Sequence, residues 1–268
     1  MPDDKADEMG TYTSDEMMAV EAARHLRDGA TCFVGIGLPS TAANLARLTH
    51  APDLTLIYES GTIGTKPSVL PLSIGDGELA ETADSVVSVP EIFAYWLQGG
   101  RIDVGFLGAA QIDRFANINT TVIGDYAKPK TRLPGAGGAP EIALSAKEIF
   151  IILRQSKRAF VERLDFVTSV GHATGSGSRQ RLGIPGLGPT RVITDLGVLE
   201  PEARSHELTL TTIHPGVTVE QVKAATGWPL AVSPNLRTTP APDAAALAAL
   251  RALKARTAAA HGAAPSAA

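Results

Sequence analysis

The chain has 268 residues, of which 44% are hydrophobic and 19% charged, with a formal net charge of −4. That length buries one large core or two small ones, and the mild negative balance, with no run of Lys or Arg, argues against a nucleic-acid partner. A single cysteine, Cys32, excludes an internal disulfide, and no apolar stretch approaches the roughly 20 residues that a membrane-spanning helix requires.

Aromatic residues make up only 5% of the chain, so Ala, Gly, Val, Leu and Ile carry the packing, as in a Gly-rich α/β protein. The polar, acidic N-terminus has no apolar signal core. Together with chemistry free of disulfides, this points to the cytoplasm.

In chain order, residues 1–12 read as a disordered lead. Thr13 then caps a helix with Glu16 three residues on, and Met17, Val20, Ala23 and Leu26 recur at helical spacing up to Asp28-Gly29. Ala30 to Gly35 is a buried strand in which Cys32 is a small hydrophobe. A Gly35–Pro39 turn follows, with Ser40 as cap of a helix running to Leu48. Leu54 to Tyr58 is a second apolar strand that ends in Glu59-Ser60-Gly61. Further strands are predicted at Ser85–Val89, Val104–Leu107, Glu148–Leu153, Phe166–Val170, Thr190–Thr194 and Leu208–Ile213. Helices are predicted around Ile92–Leu97, near Pro140, and at Val217–Thr226 with Thr218 as cap. The rhythm is that of a parallel or mixed α/β sheet. No linker interrupts 13–234, which reads as one domain, and 235–268 reads as an Ala/Leu helix from about Asp243 with a mobile tail.

Four segments have the makings of a site. Glu59 stands where an apolar strand meets a Ser-Gly turn, at the sheet edge where α/β proteins bind ligands; the alternative is a solvated turn carboxylate. Gly108 to Asp113 follows another strand, with small residues that admit a ligand to the backbone and Gln111 as an amide donor, or else is a tight turn capped by Asp113. Asn117 to Thr121 is a shaped polar loop or hairpin. Lys128, Lys130 and Arg132 lead into the Gly-rich turn 133–139, where free N–H groups beside cations make an anion site.

Other chemistries lack their signatures. No two of the six histidines stand at metal-ligand spacing, so no metal site is expected. The Gly35/Gly37 turn is not a dinucleotide fingerprint, the Gly-rich turn is not a Walker loop, and no Gly-x-Ser-x-Gly elbow follows a strand. Gly175 to Arg181 reads as a mobile surface loop or a lid.

These residues occur in a telling order: GIGLP, YESGTIGTKP, SIGDGELAE, GAAQIDRFANINTTVIGDY, KPKTRLPGAGGAPEIA. The series resembles the β subunit of class I CoA-transferases. More narrowly it is similar to the glutaconate CoA-transferase branch, and within it to the 3-oxoadipate CoA-transferase β subunits of aromatic-compound-degrading bacteria. The likeness runs from about Tyr12 to past Trp228.

It implies a three-layer αβα sandwich of the NagB/RpiA/CoA-transferase type. It also implies a partner α subunit, in a heterodimer or a two-α, two-β tetramer, with the active site at the α–β interface. The family's nucleophilic glutamate falls on Glu59, and Ser60 marks the glutaconate-like branch. Gln111, Gly137 and Gly138 are the expected oxyanion and CoA-binding groups. Ser60, Gly61, Lys130 and Arg132 are the expected substrate contacts, although the two cations equally suit a plain surface.

The implied reaction moves CoA from succinyl-CoA to 3-oxoadipate in the β-ketoadipate route of aromatic-compound breakdown. It uses no cofactor beyond the CoA thioester itself. Glutaconate or another dicarboxylate is the alternative acceptor, and a CoA-thioester hydrolase the alternative class. Ala116 stands where a Gly is common, which predicts a small change in the loop without lost activity.

Overall fold

The structure is a computed structural model that describes residues 12–262. Most of the expected lead and the end of the expected tail lie outside the described residues. The described residues divide into two compact units, 12–92 with 242–262 and 93–241.

The first unit opens with α1 (Ser14–Arg24). Its N-terminus is closed reciprocally: Glu16 N donates to Thr13 Oγ1 at 3.2 Å, and Thr13 N donates to Glu16 Oε2 at 2.9 Å. Two otherwise orphaned N–H groups are thereby satisfied. The expected apolar face, Met17, Val20, Ala23 and Leu26, is buried.

There follow β1 (Thr31–Phe33), α2 (Leu38–Leu48), β2 (Thr55–Ile57), β3 (Thr62–Ile63), α3 (Gly77–Glu81), β4 (Ser85–Val86) and α4 (Val89–Glu91). β1 and β2 run parallel with Cys32 opposite Leu56, and β3 and then β4 extend the sheet antiparallel. Cys32 is fully buried, as its apolar neighbours require.

One expectation fails here. The cap of α2 is Gly37, at φ 83°, with Pro39 in the first turn. Ser40 therefore sits inside the helix, 1% exposed, and its hydroxyl is free for another task.

The C-terminal helix, Ala244–His261, belongs to this unit. Asp243 caps it, accepting from Ala246 N at 2.8 Å, and Leu247, Leu250 and Leu253 form its buried stripe. The Arg251 guanidinium grips the buried Glu16 carboxylate through Nε at 2.8 Å and Nη2 at 3.0 Å, binding the helix to α1. That contact holds the Glu16 carboxyl below the usual carboxylate range.

A π-helical turn spans Ile92–Leu97. The second unit then comprises β5 (Val104–Leu107), β6 (Gln111–Ile112), β7 (Ile118–Asn119), β8 (Val122–Gly124), β9 (Pro129–Arg132), α5 (Ala139–Ser145), β10 (Glu148–Ile152), α6 (Ser178–Arg181), β11 (Pro189–Ile193), β12 (Gly197–Pro201), β13 (Leu208–Ile213), α7 (Val219–Ala224) and β14 (Ala231–Thr238). Its main sheet has the order β14-β13-β12-β11-β10-β5, while β6-β7 and β8-β9 are separate hairpins. β5, β10 and β11 are parallel, and β12 and β13 continue antiparallel. A Cβ at Gly105 would come within 2.6 Å of Ile142 Cγ2, so glycine lets α5 close onto β5.

Thr218 caps α7 in a reciprocal box with Gln221. The expected strand over Phe166–Val170 does not form, and Ser169 makes only an isolated bridge to Ile118. Phe166 instead stacks on Tyr126 at 5.4 Å, and Val167 is half-exposed. The 175–181 loop, expected to be mobile, is pinned by Arg179, which is 4% exposed.

Candidate active site

Glu59 stands on the turn between β2 and β3. The apolar β2 enters the core through Leu56, Ile57 and Tyr58, all buried, and the chain must reverse before Thr62 and Ile63 can pair back. Gly61 N donates to Tyr58 O at 3.0 Å and Tyr58 N to Thr62 O at 3.1 Å, which closes the turn on both sides of Glu59.

Gly61 holds φ 108°, a conformation that disfavours a side chain, and a Cβ there would run into the Val87 carbonyl. Glycine is thus a condition of the turn. Glu59 itself is partly exposed. Ser60 Oγ is buried without a hydrogen-bond partner, and so is Thr62 Oγ1 two residues on.

The turn hangs on an anchor that pattern reading missed. The fully buried Tyr58 shares a hydrogen bond of 2.8 Å with Ser40 Oγ on α2. Asn44 Nδ2 donates to Ser40 O at 2.9 Å and reaches Ser40 Oγ at 3.4 Å. Burial pushes the Tyr58 phenol up to about 12, with the Ser40 hydrogen bond acting in the opposite direction. The GIGLPS and YES segments, far apart in sequence, meet in this contact. The available signal was a Tyr where an all-apolar strand end is normal, since a buried phenol requires a partner.

The remaining site residues lie in the second unit. Gln111 begins β6, 7% exposed, opposite Asn119 of β7. Its amide donates to Asp165 Oδ2 at 2.9 Å, and its carbonyl accepts from Asn119 Nδ2 at 2.7 Å. One amide N–H is therefore committed, and the other has no partner among the described residues.

Asn119 also donates to Val122 O and accepts from the N–H groups of Thr121 and Val122. Asn117 donates to Asp113 Oδ2 and Ala173 O and accepts from Gly171 N and Ala173 N. Both amides are saturated. Burial raises the Asp113 carboxyl, against the hydrogen bonds from Asn117 and Phe115. This polar stretch is internal scaffolding.

Lys130 and Arg132 are exposed on β9. Arg132 Nη2 donates to Tyr126 O at 2.8 Å, and its guanidinium lies 4.6 Å above the Tyr126 ring, which fixes it over the hairpin. Lys130 has no partner among the described residues.

Beyond β9, Gly135 N donates to Thr120 O at 2.9 Å, and Thr120 Oγ1 donates to Gly135 O at 2.7 Å. Through Thr120 and Asn119 the Gly-rich loop and Gln111 belong to one bonded network. Gly137, at φ 49°, and Gly138 follow just before α5. Their N–H groups have no partner among the described residues. Glu59, Ser60 and Gly61 thus share one turn in the first unit. Gln111, Lys130, Arg132, Gly137 and Gly138 lie in the second unit.

Comparison with known proteins agrees with this architecture. The Coenzyme A transferase family matches residues 15–225. The chain is 68% identical over 254 residues to the β subunit of 3-oxoadipate CoA-transferase from Pseudomonas knackmussii, covering 95% of this chain and 98% of that protein. It is 38% identical over 246 residues to the β subunit of glutaconate CoA-transferase from Acidaminococcus fermentans, covering 90% and 91%. The crystal structure of glutaconate coenzyme A-transferase from A. fermentans superposes with a TM-score of 0.84 at 36% identity, over 90% of this chain and 94% of that one. The mixed α/β architecture is the CoA-transferase fold, and the chain belongs to the coenzyme A transferase family as a β-type subunit.

Proposed function

We propose that this chain is the nucleophile-bearing subunit of a cytoplasmic CoA-transferase that moves CoA from succinyl-CoA to 3-oxoadipate, working with an α subunit. The observation that carries the reading is the 68% identity, over nearly the full length of both chains, to a protein named for that acceptor. The turn geometry around Glu59 supports the choice of nucleophile: a carboxylate is held out on a turn closed by two backbone hydrogen bonds and locked by Gly61.

A carboxylate nucleophile transfers CoA without a metal or redox cofactor. The Glu59 carboxylate attacks the succinyl carbonyl, and the C–S bond breaks to give a mixed anhydride and CoA thiolate. The thiolate attacks the glutamyl carbonyl, releasing succinate and leaving a glutamyl–CoA thioester. A 3-oxoadipate carboxylate attacks that thioester, forming a second anhydride and freeing the thiolate again. Thiolate attack on the 3-oxoadipyl carbonyl yields 3-oxoadipyl-CoA and restores Glu59.

Every step passes through a tetrahedral oxyanion, and a donor aimed at one contributes about 3 kcal/mol. The unpartnered N–H groups of Gly137 and Gly138 and the second amide N–H of Gln111 are the candidates. Lys130, without a partner among the described residues, is the candidate cation for the distal carboxylate of the acid, while Arg132 is already held by Tyr126. The partner subunit excludes water, which would otherwise hydrolyse the thioester.

The test is an assay of the purified α–β complex with succinyl-CoA and 3-oxoadipate, alongside mass analysis of the Glu59 peptide after exposure to succinyl-CoA alone. The expected result is 3-oxoadipyl-CoA, a CoA adduct on Glu59, and neither in Glu59→Ala. Release of CoA without acyl transfer would instead identify a hydrolase, and activity surviving in Glu59→Ala would remove the nucleophile.

A further inference from the structure

The second unit contains another polar cluster that the transfer reaction does not use. Arg179 is 4% exposed, and its guanidinium donates only to carbonyls: Nη1 to Gly171 O at 2.8 Å, Nη2 to Pro185 O at 2.9 Å and to Ala143 O at 3.2 Å. It has no carboxylate partner among the described residues. His172, 3% exposed, donates Nε2–H to Pro189 O at 2.8 Å, and its ring lies 4.9 Å from that of His206. Arg179 Nε and His206 Nδ1 are both buried with no hydrogen-bond partner.

These three side chains, with Ser178, line a cavity of about 80 Å³ whose walls contain no Asp or Glu. Arg181 adds a second positive charge nearby, its Nη2 donating to Ser178 Oγ at 2.9 Å.

We propose that this cavity binds one small oxyanion, a phosphate or a carboxylate, against the Arg179 guanidinium and the His206 imidazole. A buried cation without a counter-charge costs several kcal/mol, so an anion that enters is favoured by the charge already there. The donor Arg179 has left for it is Nε–H, since Nη1 and Nη2 already donate to carbonyls. The volume selects the size of ligand, because drug- or cofactor-sized molecules occupy pockets of about 300 Å³ or more.

The electrostatics of the cluster agree. Burial drives the Arg179 guanidinium down to about 10. It drives the His172 imidazole to about 4, against the hydrogen bond to Pro189. Both groups lack a compensating negative charge among the described residues.

The site is distinct from the donors assigned to transfer. Pro189 begins β11, and Leu187 N bonds Lys147 O just ahead of β10, so the cavity sits at the amino-terminal ends of the parallel strands. Gln111 follows the carboxyl end of β5.

The experiment is calorimetric titration of the α–β complex with inorganic phosphate and, separately, with acetate, each against chloride at matched ionic strength. Saturable binding of either anion is expected, with loss of binding in Arg179→Met. In His206→Gly the affinity should fall about tenfold, the scale of one lost hydrogen bond to a charged group. His206 holds φ 59°, so glycine fits its backbone, and this variant decides the matter alone if Arg179→Met does not fold. Phosphate without acetate assigns an inorganic or ester phosphate, and acetate without phosphate assigns a carboxylate. No heat beyond the chloride control for either anion, or undiminished binding in the variants, would overturn the proposal.

Discussion

Replacing Tyr58 by Phe tests whether the nucleophile's turn hangs on α2. The change removes one buried hydroxyl and its 2.8 Å bond to Ser40 Oγ. Ser40 keeps only the 3.4 Å contact from Asn44 Nδ2 on that oxygen. A net hydrogen bond is worth about 1 kcal/mol, and a buried hydroxyl left unsatisfied costs about 1–3 kcal/mol. A loss of about 1–3 kcal/mol in urea denaturation is therefore expected, and Ser40→Ala/Tyr58→Phe together should lose less than the sum of the single changes.

A pH signature reports the burial of the phenol itself, since burial is what raises it. The folded state keeps the phenol protonated to about 12, whereas the unfolded chain releases it near 10. The stabilisation is complete below pH 10 and is lost as pH rises from 10 to 12, by about 2–3 kcal/mol. That alkaline slope should vanish in Tyr58→Phe. With Glu59 less firmly held, kcat should fall more than KM rises. Strict additivity of the two substitutions, or an unchanged alkaline slope, would refute the argument.

Gly61→Ala should cost at least about 3 kcal/mol in the same denaturation assay or leave no folded protein, since positive φ and the clash with Val87 combine. Asn119→Leu should destabilise by about 3 kcal/mol or more, because it strands the partners of four hydrogen bonds at once, three of them buried. Ala116→Gly should stay within about 1 kcal/mol of the natural chain: relief of the left-handed Cβ offsets the added chain entropy and the lost methyl burial. Lys130→Ala should raise KM for the dicarboxylic acceptor with kcat little changed if its charge holds the distal carboxylate, and steady-state kinetics of the complex will read it.

Much of this chain was legible because local signals agreed with the tertiary ones. Thr13 with Glu16, and Thr218, became helix caps, and the apolar runs at 104–107 and 208–213 became strands with the same limits. Ala116 proved to sit at φ 57°, which is why a Gly suits that position. What escaped were contacts between segments remote in sequence. Ser40 reads locally as a helix cap, but Gly37 and Pro39 start the helix earlier and release its hydroxyl to Tyr58. Phe166 to Val170 reads as a strand until Tyr126 takes the ring of Phe166. β14 carries Pro and Asn and is mostly exposed, so its alternation is too weak to see. Arg179 looked like a solvated charge in a Gly/Ser loop, and nothing local announces the three carbonyls that bury it.

Hydrogen-bonding capacity also sorts the chemistry-bearing motifs. In the GAAQIDRFANINTT segment, Asn117 and Asn119 use all four of their valences internally, and Asp113 accepts from Phe115 N, Asn117 N and Asn117 Nδ2. Groups so committed cannot turn to a substrate without unfolding the loop they hold, so this densely polar stretch fixes shape. Among the groups assigned to transfer, those with unused capacity are the Glu59 carboxylate, the Ser60 and Thr62 hydroxyls beside it, one Gln111 N–H, and the N–H groups of Gly137 and Gly138. A reaction that develops charge on an acyl oxygen requires donors with no prior obligation. On that ground Ser60→Ala should slow transfer while leaving stability within about 1 kcal/mol, since no hydrogen bond in the free chain is lost. A Ser60→Ala complex with unaltered kcat would show that its hydroxyl is idle and would shift the search for donors to the glycine loop.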